Sequence, residues 1–241
     1  MNSKPRVEPF LRNHKFYTKT PKAQNKFLLA LGFLAFAVLL VLVVLSIYTG
    51  IYFIAILGFA IILSLIAPFF DVPSLKKSGK MIYYAPLFIT EKPKDGLIKI
   101  HGGTLFDYYF AIDRRLNGRE RTAYIMYEYL NGLLALIEAY KDQPQLRVQG
   151  TSYIINERTA KKLGFKIGET NGFQKLILSY NYFNILVSSS IAKNKLSFPK
   201  LSNTKTFEAQ ISDLALHKAH IEKLRDALKH RHPQKLRDFS G

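Results

Sequence analysis

The 241-residue sequence contains no cysteine. That excludes a disulfide framework, a thiolate metal site and a cysteine nucleophile. Acidic residues are scarce: 17 Asp and Glu stand against 35 Lys and Arg, for a formal net charge of +18. The most informative absence is local. From Phe27 to Phe70 there are 44 consecutive residues without one Asp, Glu, Lys, Arg or His, and such a run cannot form the core of a water-soluble fold. At about 1.5 Å per residue it would make one helix of about 66 Å, twice the hydrocarbon thickness of about 30 Å, so it must double back. With no ionisable residue inside it, a transport pathway lacks its usual marker, and anchoring is the better reading.

The run divides into two predicted spans, 27–48 and 51–70, joined at Thr49-Gly50. Gly50 suits a tight turn because it has no Cβ to clash at positive φ, and Tyr48 and Tyr52 lie where amphipathic rings settle at an interface. The basic segment 1–26 carries seven cations and one anion, and residues 71–241 carry 28 and 16. Lys15, Lys19, Lys22 and Lys26 precede the first span, while Lys76, Lys77 and Lys80 follow the second. The rule that cationic flanks stay inside then places both termini in the cytoplasm of a bacterial-type inner membrane, against an anionic inner leaflet. The apolar stretch is too long for a cleaved signal, whose apolar region runs about 7 to 15 residues.

Residues 71–187 read as a mixed α/β domain. Met81 to Thr90 is a β-branched and aromatic strand interrupted by Pro86, and Pro93-Lys94-Asp95-Gly96 is a turn. Leu97 to Ile100 and Leu105 to Ile112 are two further predicted strands. Asn117 and Glu120 have capping-box spacing before an apolar repeat at Met126, Leu130, Leu133, Leu134 and Ile137, which predicts a helix over 119–140. Leu146 to Ile155 reads as a strand, and Asn156 to Leu163 as a short helix ended by Gly164. Residues 173–187 fit both a helix and a strand. Residues 188–206, polar and broken by Pro199, read as a linker or lid. The spacing of Phe207, Ile211, Leu214, Ile221, Leu224 and Leu228 predicts an amphipathic helix over 207–230, followed by a basic tail, 231–241. Its apolar stripe packs on its own domain or pairs in a short coiled coil between copies.

The segment Asn156-Glu157-Arg158-Thr159-Ala160-Lys161-Lys162-Leu163-Gly164-Phe165, after a strand and a longer helix, resembles the N-x-x-A…G-F segment of the GNAT acyltransferase superfamily. In that family a loop of the form Q/R-x-x-G-x-G/A precedes the longer helix and holds the pyrophosphate of acyl-coenzyme A at the helix N-terminus, where unpaired amides and the helix dipole favour phosphate. Arg115-Leu116-Asn117-Gly118-Arg119-Glu120 occupies the matching place, with Glu120 where the family has a small residue. The resemblance implies a GNAT-like fold, an acyl-coenzyme A donor bound by Arg115, Gly118 and Arg119, and Asn156 near the acyl thioester. The family's general acid, a tyrosine in the short helix, has no counterpart there; Tyr153 could substitute only if the backbone moved.

Other residues attract chemistry of their own. Asp107 and Asp113 are candidate general bases. His101-Gly102-Gly103 fits an oxyanion or metal loop, or an ordinary turn. Gly150-Thr151-Ser152 is not a nucleophile elbow, because Ile154 stands where glycine is required. His217 and His220, with Glu222, His230 and His232 nearby, fit a weak metal site less well than a solvated basic helix, and no metal is expected. Tyr108, Tyr109 and Phe110 could stack bases, but no nucleic-acid module motif accompanies them, so nucleic acid is not an expected partner. Two functions remain: a membrane-tethered acyltransferase using acyl-coenzyme A, or a non-catalytic scaffold or accessory subunit of an inner-membrane assembly, docking or self-associating through 207–228.

Overall fold

The computed structural model describes residues 8–152 and 157–231; Tyr153 and Asn156 lie outside them. Two long helices come first. Helix α1 (Pro21–Thr49) starts where the Thr20 hydroxyl accepts the Ala23 amide, with Pro21 in the first turn, and it stops at Gly50, whose φ of 72° only glycine adopts cheaply. Helix α2 (Phe53–Lys77) returns beside it. At 29 and 25 residues they measure about 44 and 38 Å, each long and apolar enough to cross a membrane. Phe33, Val41, Ile47 and Ile56 are each about two-thirds exposed, so none of the described residues covers the outer faces of the hairpin. Both helices outrun the apolar stretch. Asp71 to Lys77 continue α2 without a break and end on Lys76 and Lys77, cations that suit the negative end of the helix dipole.

A six-stranded sheet follows, in the order β1-β2-β3-β4-β6-β5. The strands are β1 (Met81–Ala85), β2 (Phe88–Glu91), β3 (Leu97–Gly102), β4 (Arg147–Ser152), β5 (Lys166–Glu169) and β6 (Lys205–Gln210). Every neighbouring pair is antiparallel except β3 and β4, at the centre. Joining two parallel strands takes a crossover, supplied by α3 (Leu105–Ala111) and α4 (Gly118–Ala139). On one face of the sheet, Ile98, Ile100, Val148, Phe207 and Ala209 share a buried cluster with Leu130, Leu133 and Leu136 of α4. Toward the hairpin, Tyr83 and Ile89 join Phe69 and Val72 of α2, Phe106 and Phe110 of α3, and Leu11 and Phe16 of the leading segment. The sheet is therefore clamped directly onto the long helices.

Several sequence expectations change. Met81 to Thr90 is two strands, because the chain turns at Pro86 and pairs with itself. The strand predicted over Leu105 to Ile112 is instead helix α3 as far as Ala111: Asp107 caps the Thr104 amide and hydroxyl at 2.7 and 2.6 Å, and Phe106 and Phe110, four apart, enter one cluster. Residues 173–187 are helical on both sides of a break at Asn181, as α6 (Gly172–Tyr180) and α7 (Tyr182–Lys193), after the short α5 (Glu157–Lys162). The segment 188–206 is not a linker, since α7 runs through its first part and β6 begins at Lys205. The helix predicted over 207–230 starts only at Ile211. Phe207 and Ala209 alternate with Thr206 and Glu208 in β6, an interior strand, and α8 (Ile211–Leu216) and α9 (Lys218–Arg231) follow. Ile211, Leu214 and Ile221 are buried in the domain's own core.

Candidate functional site

The central strands separate. Their ladder runs from Leu97 opposite Arg147 to Ile100 opposite Gly150 and ends there. Beyond it β3 stays paired with β2 as far as Gly102, and β4 stays paired with β6 as far as Ser152. Each strand thus follows its outer neighbour and a notch opens between them. Gly150 marks the fork: a Cβ there would stand 2.7 Å from Ile100 Cγ1.

A cavity of about 200 Å³ fills the notch. Its floor is Ile100, Gly102, Gly150, Thr151, Ser152 and Phe207; one wall is Ile125, Met126 and Tyr129 of α4; its roof is Leu178 of α6 with Asn184, Ile185 and Ser188 of α7. The Thr206 hydroxyl lies 3.3 Å from Thr151 Oγ1 and donates to Gln174 Oε1 at 3.2 Å. Tyr129 stacks edge-on against Phe88 at 4.9 Å, and burial raises its hydroxyl pKa above the usual value, keeping it protonated. A second cavity, of about 410 Å³, shares Tyr108, Ile125 and Met126 with the first and reaches Thr122, Lys193, Phe198 and Lys200. The two together run along α4 from an apolar interior to a basic mouth.

The start of α4 borders that mouth, and three amides there are already occupied. Asn117 Oδ1 accepts from the amides of Arg119 and Glu120, each at 3.0 Å, and the Asn117 amide donates to Glu120 Oε2 at 2.8 Å. Gly118 lies so close to the Lys193 carbonyl that no side chain fits there. Arg115 forks onto Asp113, with Nε and Nη2 at 2.9 and 2.6 Å from Oδ2, and this guanidinium lowers the Asp113 pKa to about 2. Arg119 is exposed. Arg121 is buried and donates to the carbonyls of Leu116, Ile191 and Arg114, each at 2.8 Å, which ties the loop to the end of α7.

The remaining candidates lie elsewhere. Asp107 is fully buried, accepts from the Tyr83 hydroxyl at 2.5 Å and from Thr104, and sits 3.3 Å from His14 Nε2. Its lone pairs are committed to fastening α3 and the leading segment, so it is a poor base. His101 bridges to Glu91 at 3.0 Å across two strands and lowers that carboxyl's pKa. His217 Nδ1 contacts the Asp213 carbonyl at 2.9 Å, and among the described residues no metal-holding cluster forms. Sequence reasoning missed the roof residues of α6 and α7, and also Glu128, a carboxyl on α4 whose burial raises its pKa to about 7 against the pull of Tyr124 and Asn131. The isolated glycine inside the strand pattern at 150 was the available clue, since such glycines mark close backbone approach. Comparison with protein-family profiles, curated proteins and solved structures gave no match for this chain.

Proposed function

We propose that this chain is a membrane-tethered acyltransferase of GNAT-like fold that takes acyl-coenzyme A as donor. The reading rests on the forked central pair: parallel strands joined by a crossover helix, parting at Ile100 and Gly150 around a narrow, mostly apolar cavity. A pantetheine arm is a slender chain of amides, and such a notch, with unpaired strand edges beyond the fork, suits it. The hairpin crosses a bacterial inner membrane, and the Lys-rich flanks hold both of its ends and the domain on the cytoplasmic, anionic side.

The capped amides of Asn117, Arg119 and Glu120 do not suit a pyrophosphate. Lys193 and Lys200, with exposed Arg119 nearby on α4, suit it better: they bring positive charge to the mouth of the second cavity. Acyl-coenzyme A, when bound, supplies an activated thioester. The chain's own part is to shield it from water with Ile125, Met126, Ile185 and Phe207, and to offer the hydroxyls of Tyr129, Thr151 and Ser152 as proton donors beside it.

The test is calorimetry of the full chain in nanodiscs with coenzyme A. Saturable binding is expected, at least tenfold weaker in a Lys193→Gln/Lys200→Glu variant and weakened by salt. No heat up to millimolar ligand would remove the acyltransferase. One observation favours a non-catalytic subunit of a membrane assembly instead: among the described residues, no carboxylate, imidazole or amine lines the forked cavity. That reading expects no coenzyme A binding and recovery of a stoichiometric partner from solubilised membranes.

A further inference from the structure

Helix α6 buries none of its residues, yet it is strongly one-sided. Phe173, Leu176, Ile177 and Tyr180 recur at helical spacing and are 45 to 70% exposed. Leu178, on the opposite side, roofs the forked cavity. An apolar helical face turned away from its own protein belongs against another apolar phase.

Its position names that phase. Just past the break at Asn181, the Asn184 side chain donates to the Ser64 carbonyl of α2 at 3.3 Å. Counting from the Gly50 turn, about 30 Å of hydrocarbon takes in about 20 residues of helix. Ser64 is fourteen residues along, inside that span. The junction of α6 and α7 is therefore held at lipid depth by a hydrogen bond to a transmembrane helix, and the exposed face of α6 continues the apolar surface of the hairpin. Ser188 Oγ lies 3.5 Å from Asn184 Oδ1, so the residue that reaches α2 also belongs to the cavity roof.

We infer that α6 and the first turn of α7 lie in the cytoplasmic lipid interface and form the entrance through which the tail of a membrane amphiphile reaches the cavity between β3 and β4. The acceptor of the proposed acyl transfer is then a lipid-borne nucleophile rather than a soluble one. This rests on the hairpin spanning the bilayer.

The absence of cysteine makes the test clean, because every introduced thiol is unique. Spin labels at Leu176→Cys and Tyr180→Cys in nanodiscs are expected to show oxygen-dominated, lipid-side accessibility, like a control at Val41→Cys, while Lys175→Cys and Ser179→Cys report water or headgroups. A phospholipid carrying a chain-terminal diazirine is expected to label the strand peptide 147–152. Gly150→Val or Ser188→Phe, narrowing the cavity from opposite walls, should each lower that label at least fivefold. Water-side labels at 176 and 180 with a lipid-side Val41 control would overturn the inference, as would lipid-side labels with no photoproduct on the strand. A water-side control at Val41 would instead refute the spanning hairpin, and the inference with it.

Discussion

Glu128 is a carboxylate placed where carboxylates are expensive. Its folded pKa of about 7 exceeds the model-compound value of 4.5, so the folded chain holds this proton more tightly than the unfolded one. The resulting stabilisation is complete below pH 4.5 and is lost as pH rises to about 7; above that, the buried charge costs on the order of 3 kcal/mol. Glu128→Gln keeps the shape and removes the charge. Thermal melts in one detergent should show little change at pH 4.5 and a gain of about 1 to 3 kcal/mol at pH 8. Gly150 makes the opposite kind of demand, for space. Gly150→Val pushes a branched side chain into Ile100, should cost about 1 to 3 kcal/mol, and should weaken coenzyme A binding by tenfold or more. A compensating Ile100→Ala should restore part of both if steric crowding is the cause.

Among the elements, the first turn of α4 is held from three directions by one guanidinium. Arg121→Met leaves the carbonyls of Arg114, Leu116 and Ile191 without their donor and should cost about 3 kcal/mol or more. Arg121→Lys should recover only part, because an ammonium cannot match the fork. Hydrogen exchange should report the loss in the last turn of α7 as well as in α4. Helix α4 was also the most legible element, since its capping box and its apolar period point to the same boundaries. Where such agreement was missing, the sequence misled. Leu105 to Ala111 is short and apolar, which fits either period, and only the Asp107 contacts to Thr104 and Tyr83 decide for helix. In 207–228 a strand and two helices run together with no breaker, so Phe207 fell into a helical register with Ile211 although it alternates with Ala209 across the sheet. The cavity roof was illegible for a related reason: Leu178, Ile185 and Ser188 carry no motif and line the cavity beside Gly150 only once α7 has packed against α3 and α4.

For the whole molecule, the two apolar helices make a topological prediction. Under the topology proposed above, Tyr52→Cys at the hairpin tip should react with an impermeant maleimide in intact spheroplasts, whereas Lys99→Cys in the sheet should react only after lysis; labelling of residue 99 from outside would overturn the proposed orientation. The path of the chain out of the hairpin matters as much as its direction. Helix α2 continues past the charge-free run, which ends at Phe70, as far as Lys77, and only Ser78, Gly79 and Lys80 separate it from β1. Phe69 and Val72 are buried against Phe106 and Tyr83 over the same stretch. The domain is thus bolted to its anchor and does not hang from a tether. On the proposed reading that the hairpin spans a bilayer, tilting it tilts the sheet by the same angle, so a change in bilayer thickness would raise or lower the cavity mouth relative to the headgroups and make the membrane a mechanical input to the cavity.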